Sequence, residues 1–263
     1  MQNPLGYCLE IKFQKPRPAV EGMPVTPSST LVRHNVFIKN DSRSPDGDRP
    51  NMLVGGFPAS GPGADDLYEI YGNFFYHNPR ESLLQASGRV AIHDNVFVDG
   101  AAPGHAAITL RDHDSPLKNA SIYHNTICSS ARGIHVSGPA PEGHAVIGNL
   151  VFADTPTSFH RSITQVSANI ISSRSDAATY LLNPTRELGV MNLYPRVGQC
   201  QGGALDLTPF IAHADYNLDF NRTSKVGHHF RGAYAGQGAN PGWQLDAALK
   251  RFESDPLSSQ NPQ

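Results

Sequence analysis

A short motif built around asparagine recurs along this 263-residue chain and constrains the fold more than any other feature. Each copy has an apolar residue, one to three polar or small residues, an asparagine, any residue and a second apolar residue, as in the IHDNVF stretch at 92–97. Neighbouring copies lie 38, 22, 30, 24 and 20 residues apart. A near-constant minimum period with insertions of different length is typical of a solenoid, in which the coils are fixed and the loops vary. The motif asparagines are Asn35, Asn73, Asn95, Asn125, Asn149 and Asn169.

Segments with β-strand character lie between the motifs, at 52–54, 82–86, 107–111, 133–137 and 178–182. Several alternate apolar and polar residues, which is the period of a strand with one buried face. Two alternating strand types with few helical stretches argue against a doubly wound α/β sheet. They favour an all-β fold, a single-stranded parallel β-helix. Ile108 and Leu110 should then stack on Ile134 and Val136 of the next coil.

The asparagines suit a structural role at the bend between two strands. Asparagine tolerates a left-handed backbone, and its amide can satisfy the polar groups of a turn. Repeated in each coil, the six amides should form a hydrogen-bonded ladder that satisfies buried polar groups. His34, His93 and His124 precede ladder asparagines and are expected to pack at the bend.

Repeated I-x-x-N-x-F strands followed by G-I-x-V-x-G strands resemble the right-handed parallel β-helix repeats of the pectate-lyase-like superfamily. That superfamily includes polysaccharide lyases, certain hydrolases and uronate epimerases, so the resemblance implies the fold more firmly than the reaction. It covers roughly residues 5–185 and implies a secreted or periplasmic protein. The later segments D-F-N-R at 219–222 and R-G-A-Y at 231–234 resemble the closing segment of many such proteins, with Arg222 in place of the usual glycine.

These patterns predict one elongated domain, with coils over 1–190 and a closing segment over 191–253 that contains a short helix at 243–250. A disordered tail is expected over 254–263. Long insertions at 14–30 and 39–66 should stand on one side of the solenoid. Because strand character begins by residue 9 and no export signal precedes it, we also expect that N-terminal coils are missing and that the chain is a fragment of a longer protein.

The composition limits the classes of partner that this chain is expected to bind. The 21 basic and 23 acidic residues nearly balance, and no long basic run is present, which argues against nucleic-acid binding. No apolar stretch approaches the ~20 residues of a membrane span. Cys8, Cys128 and Cys200 are too few and too scattered for a disulfide framework or a zinc site. We expect them to be buried, or in the case of Cys200 to be an exposed thiol. A monomer is expected.

The outward residues of the alternating strands should share one face and form a groove for an extended sugar polymer. They are Glu10, Lys12, Gln14, Gln85, Thr109, Arg111, His135 and Ser137. Removal of the C5 proton of a uronate requires neutralisation of the carboxylate, a base and an acid. Arg111 and Lys12 suit the carboxylate clamp, and His113 or His135 suits the base.

Other residues of this face are expected to contact the substrate or a metal ion. Gln85, Thr109 and Arg132 are candidate substrate ligands. Asp112 and Asp114 are candidate ligands of Ca²⁺, although two carboxylates leave the rest of its coordination to substrate or water. Alternatively, residues 111–114 form a solvent-exposed turn whose charged side chains pair with one another and have no catalytic role. The segment also resembles the D-P-H-D signature of alginate epimerases, but only in its final His-Asp.

The leading hypothesis is therefore a polysaccharide lyase-like enzyme that cleaves uronic-acid polymers by β-elimination. A non-catalytic glycan-binding or surface-display β-helix is the alternative, and an inactive fragment is the third reading. The aspartate constellation of β-helix pectin hydrolases is not found. Convergence of the basic residues and histidines with Asp112 and Asp114 would favour catalysis. Scatter among exposed aromatic residues such as Tyr68, Tyr71 and Tyr76 would favour binding.

Overall fold

The protein folds as a parallel β-helix of six coils, each made of three short strands, in a computed structural model that describes residues 6–45, 47–100 and 103–251. The first sheet contains β1 (Leu9–Ile11), β4 (Met52–Val54), β7 (Leu84–Ala86), β10 (Ala106–Leu110), β13 (Arg132–Val136) and β16 (Thr155–Phe159). The second contains β2 (Ser29–Arg33), β5 (Leu67–Tyr71), β8 (Gly88–His93), β11 (Leu117–Tyr123), β14 (Gly143–Ile147) and β17 (Val166–Ser167). The third contains β3 (Val36–Ile38), β6 (Phe74–Asn78), β9 (Val96–Gly100), β12 (Thr126–Cys128), β15 (Leu150–Phe152) and β18 (Ile170–Ser172).

The expected fold class is thus confirmed, with one refinement of the coil. Each asparagine motif is two strands, one in the second sheet and one in the third, separated by a sharp bend. Within each of these sheets, neighbouring strands pair in parallel and are three places apart in chain order. The third sheet escapes detection from sequence because the motif reads as a single strand.

Inward side chains stack in columns that fill the core. Ile108 pairs with Ile134 and Leu110 with Val136, as the alternation predicts. In the third sheet the rings of Phe37, Phe75 and Phe97 stack at centroid separations of 4.8 and 4.7 Å. Because equivalent residues of successive coils are one strand spacing apart, each buried ring covers the next.

The six asparagines form a continuous ladder along the bend. In each step the backbone N–H and the Nδ2 of one asparagine donate to the Oδ1 of the next, at 2.9 and 3.1 Å between Asn73 and Asn95. The left-handed residue is the one before each asparagine, not the asparagine itself as expected. These preceding residues have φ between 52° and 66°, and they are His34, Gly72, Asp94, His124, Gly148 and Ala168.

The coils end at Ser172, earlier than the expected boundary at 190, and residues 173–251 form the closing segment. This segment contains the short helix α1 (Ala177–Tyr180) and an antiparallel pair, β19 (Leu181–Asn183) and β20 (Asn192–Pro195). The strand predicted at 178–182 is therefore wrong for its first half. The helix predicted at 243–250 is also wrong, since that stretch has no helical turn. Its pattern instead reflects packing, with the ring of Trp243 edge-on to Phe74 at 5.7 Å.

Three long connections border the first sheet. Residues 12–28 and 55–66 lead from the first sheet to the second, whereas residues 39–51 lead from the third sheet into the first. The long loops therefore lie at both ends of the strands of the first sheet and not, as expected, on one side. The predicted tail at 254–263 lies outside the described residues. All three cysteines are buried, including Cys200, which packs in the cluster that the closing segment forms with the third sheet. No helix of the described residues is long and apolar enough to span a membrane.

Candidate functional site

The closing segment covers the outer faces of two of the three sheets. Outward side chains of the third sheet, such as Phe74 and Phe152, pack with Leu193 and Phe220 in one buried cluster. Outward side chains of the second sheet pack in a smaller cluster around Tyr123. The outward row of the first sheet belongs to neither cluster and is mostly polar. In register it contains Glu10, Leu53, Gln85, Thr109, His135 and Ser158.

Arg111 follows β10 in the fourth coil, and Arg132 and His135 belong to β13 in the fifth, where His135 is in register with Thr109. His135 is half-buried, and burial lowers the pKa of its imidazole below the ordinary value. The guanidinium of Arg132 lowers this pKa further, as does that of Arg111, while a backbone hydrogen bond at Ser158 opposes them. Burial and the two guanidinium charges therefore favour the neutral imidazole of His135, the form that can accept a proton.

Gln85 and Thr109 lie in the same row but are buried, at 4% and 7% exposure. Thr109 Oγ1 is 2.8 Å from the hydroxyl of Ser82, and Gln85 Oε1 accepts a long 3.4 Å hydrogen bond from Arg111 Nη2. Their side chains thus already have partners within the protein. Of these two predicted substrate ligands, Gln85 is better placed to orient Arg111 than to contact a glycan.

Lys12 belongs to a separate group on the first coil. Its Nζ is 2.5 Å from the carboxylate of Glu10, and this hydrogen bond raises the pKa of Lys12, with Asp114 adding to the rise. Four strand spacings separate the strands of the first and fifth coils, about 19 Å. Lys12 and His135 therefore do not converge on one sugar residue.

The 111–116 turn contains the other predicted site residues. His113 Nε2 is 3.6 Å from Asp114 Oδ2, so these two side chains form a loose pair within the turn. Asp112 Oδ1 accepts a 2.8 Å hydrogen bond from the backbone N–H of Leu117, which closes the turn. Within the described residues, no group of three or more histidine, cysteine, aspartate or glutamate side chains is placed to hold a metal ion. A Ca²⁺ site at Asp112 and Asp114 stays a prediction, and no step of a reaction is derived from it.

Sequence reasoning missed a carboxylate at the edge of this face. Glu81 Oε1 accepts hydrogen bonds from Gln85 Nε2 at 2.8 Å and from the N–H of Ser82 at 2.9 Å, and it also pairs with His105 Nδ1. The contacts join His105, Glu81, Gln85 and Arg111 in one hydrogen-bonded chain across the face. No sequence signal marks Glu81, because it lies in a connection between sheets.

A second missed group lies at the bend of the coils, under the closing segment, and we call it the bend cluster: His93, Asp94, His124 and Lys225. Lys225 Nζ donates to both oxygens of Asp94 at 2.8 Å and to His124 Nδ1 at 3.0 Å. His93 Nδ1 is 2.8 Å from Asp94 Oδ2. Because an ammonium only donates, His124 Nδ1 is an acceptor and its proton is on Nε2.

Burial shifts every pKa in the bend cluster. It raises the pKa of Asp94 to about 7, although Lys225 opposes the shift, and it lowers the pKa of Lys225 against the pull of Asp94. Burial and the nearby ammonium hold the pKa values of His93 and His124 well below the ordinary histidine value. The cluster joins two coils to the closing segment. Its side chains are at most 5% exposed, so we assign it to stability and not to a substrate site.

Comparison of the chain with protein-family models, with curated proteins and with solved structures gives no significant match. The fold defines the class, a parallel β-helix protein with a closing segment over two of its three faces. Its function must be argued from the side chains of the remaining face.

Proposed function

We propose that the outer face of the first sheet binds an acidic polysaccharide and cleaves it by β-elimination, with His135 as the base. The observation that supports this most is the half-buried imidazole of His135 on the polar outer row, where burial and the charges of Arg132 and Arg111 lower its pKa. A guanidinium beside the uronate carboxylate acidifies the C5 proton, and a neutral imidazole can remove it. The C4=C5 double bond then forms as the C4–O bond breaks, and the leaving oxygen takes up a proton from water. Membership of the pectate-lyase-like superfamily, and a secreted location, belong to the same proposal.

A non-catalytic glycan-binding β-helix is the second candidate. The separation of Lys12 from the group of Arg111, Arg132 and His135 favours it, because two positively charged groups about 19 Å apart suit the binding of a long chain better than chemistry at one bond. Exposed aromatic side chains do not distinguish the two candidates, because Tyr68 and Tyr71 are buried, at 1% and 2% exposure.

The test is the ultraviolet absorbance of unsaturated uronate products during incubation with pectate, alginate and glycosaminoglycans, with and without Ca²⁺. A lyase gives a rising signal that His135→Ala and Arg111→Ala abolish while thermal melting stays cooperative. Ser158→Ala, in the same row, should retain the signal. A flat trace with a polymer that binds the protein would replace the lyase by the binding module, and the absence of any binding would overturn both.

A further inference from the structure

The first coil carries an open cleft outside the His135 group. The cleft has a volume of about 520 Å³ and is lined by Gly6, Tyr7, Glu10, Lys12, Ser44 and Arg49. It lies where β1 meets the 39–51 connection, at the N-terminal end of the first sheet. Nothing in the proposed β-elimination uses Tyr7 or Arg49.

Two cations border the aromatic ring in this cleft. Lys12 Nζ lies 5.4 Å from the centroid of the Tyr7 ring, and the guanidinium carbon of Arg49 lies 5.6 Å from it. Lys12 Nζ is also 4.9 Å from the ring of Phe13. Cation–π attraction at these distances holds both positive charges near the ring without neutralising them.

The backbone that presents Arg49 is fixed from inside the protein. Its carbonyl oxygen accepts a hydrogen bond from Asn78 Nδ2 at 3.0 Å and another from the Nζ of Lys39. Lys39 is only 8% exposed, so a buried ammonium and a buried amide anchor this part of the connection. A site on an anchored segment loses less entropy on binding than one on a free loop.

The charges in the cleft favour one anionic group. The carboxylate of Glu10 offsets Lys12, with which it is paired, so the lining carries one positive charge in excess, that of Arg49. A guanidinium matches a carboxylate with two parallel N–H donors. An aromatic ring beside it offers an apolar face to a sugar ring.

We propose that this first-coil cleft is a binding subsite for a carboxylate-bearing sugar residue of an extended acidic glycan, held by Arg49 and Lys12 beside the ring of Tyr7. The inference rests on the proposed function in one respect, that the same glycan follows the first sheet to His135. The strands of the two sites are about 19 Å apart, so only a long oligosaccharide occupies both.

Calorimetric titration with a disaccharide and an octasaccharide of galacturonate tests the subsite directly. Arg49→Ala should weaken binding of the octasaccharide roughly tenfold or more, the effect of losing one charge-assisted contact, and Tyr7→Ala should weaken it through loss of the ring contact. Arg49→Lys should restore part of the affinity. Arg43→Ala, an exposed arginine on the same connection, is the matched control and should change neither titration.

Each other outcome has a definite meaning. Unchanged octasaccharide affinity in Tyr7→Ala and Arg49→Ala, with folding confirmed by thermal melting, overturns the subsite but leaves the proposed function standing. Binding of neither sugar by the unmodified protein overturns both. Equal affinity for an uncharged octasaccharide would remove the carboxylate from the proposal, and binding of an acidic peptide instead of the glycan would replace the ligand class and overturn it.

Discussion

Two neighbouring residues have different structural roles at each bend of the coil. The residue before the asparagine takes the left-handed conformation, which turns the chain from the second sheet to the third. The asparagine uses its amide to join coils. Asn95 Nδ2 donates to the carbonyl of Ile70 at 2.8 Å and to Asn125 Oδ1 at 3.0 Å, while its own Oδ1 accepts from Asn73. Because Asn95 is fully buried, no water can replace these partners.

Asn95→Ala should therefore lower the free energy of unfolding by about 3–5 kcal/mol, since several buried groups lose their partners at about 1–3 kcal/mol each. Asn35→Ala is the control, because Asn35 is exposed and ends the ladder. We expect the control to cost about 1 kcal/mol. Urea unfolding of both variants measures the difference, and equal losses would show that the ladder contributes nothing beyond one amide.

Two of the left-handed positions, Gly148 and Ala168, allow substitutions with opposite expected effects on stability. Gly148 has φ of 66°, and a Cβ there would lie 2.7 Å from Leu205 Cδ1 and 2.8 Å from His124 Cδ2. Gly148→Ala should destabilise by about 2 kcal/mol or more, from left-handed strain and crowding. Ala168 has φ of 53° and is exposed, so Ala168→Gly relieves strain and should be neutral or stabilise by up to about 1 kcal/mol. Thermal melting checks the opposite signs.

Among the structural elements, the bend cluster connects the closing segment to the coils through Lys225. Lys225→Met leaves the buried carboxylate of Asp94 without its cation. It should cost about 3–5 kcal/mol at pH 8. The penalty should shrink at pH 5, because the pKa of Asp94 is already raised to about 7 and loss of the ammonium raises it further, so the carboxyl takes up a proton.

The double variant Asp94→Asn with Lys225→Met removes both charges and keeps a residue that tolerates the left-handed backbone. It should recover most of the lost stability in urea unfolding, which defines a double-mutant cycle. Arg33→Met, which breaks an exposed pair with Asp215, should cost about 1 kcal/mol or less. If the double variant were as unstable as Lys225→Met, the pairing of these two charges would not be the source of the loss.

The same comparison of elements shows what the sequence can predict. The coil period, the core columns and the ladder follow from repeated local patterns, because each coil uses the same bend and the same inward positions. The closing segment has no period, so its covering role and the false helix at 243–250 escape prediction. Leu245 is buried and Trp243 is partly buried by contacts with residues far away in the chain, and their spacing only mimics a helical pattern.

Across the whole molecule, the sequence predicts which face carries the candidate site but not how the side chains of that face are arranged. Strand alternation places Glu10, Gln85, Thr109 and His135 in one row, which the register bears out. It does not give their depth, because side-chain burial depends on the connections above the sheet. It also cannot assign Glu81, which reaches the row from the connection between β6 and β7.

Enclosure of neutral histidines makes the stability of the whole molecule depend on pH. His93 is fully buried, stacked between the rings of Tyr71 and Tyr123 at 4.9 and 4.6 Å, and its pKa is well below the ordinary value. Below about pH 6.5 the unfolded chain binds a proton at this position and the folded chain does not. Its contribution to stability is therefore present above about pH 6.5 and is lost as the pH falls. The raised pKa of Asp94 works in the opposite direction between its ordinary value and about 7.

His93→Phe keeps a ring in the stack and removes the titrating group. Between about pH 5 and 6.5, its unfolding free energy should fall less steeply with acidification than that of the unmodified protein, by about 1.4 kcal/mol per pH unit. Urea unfolding at several pH values measures both slopes, and His229→Gln, at an exposed histidine, controls for the loss of any histidine. Parallel slopes for the unmodified protein and His93→Phe would mean that His93 takes up its proton within the fold. The stack between Tyr71 and Tyr123 would then hold an imidazolium, and the bend cluster would carry a charge that its contacts do not support.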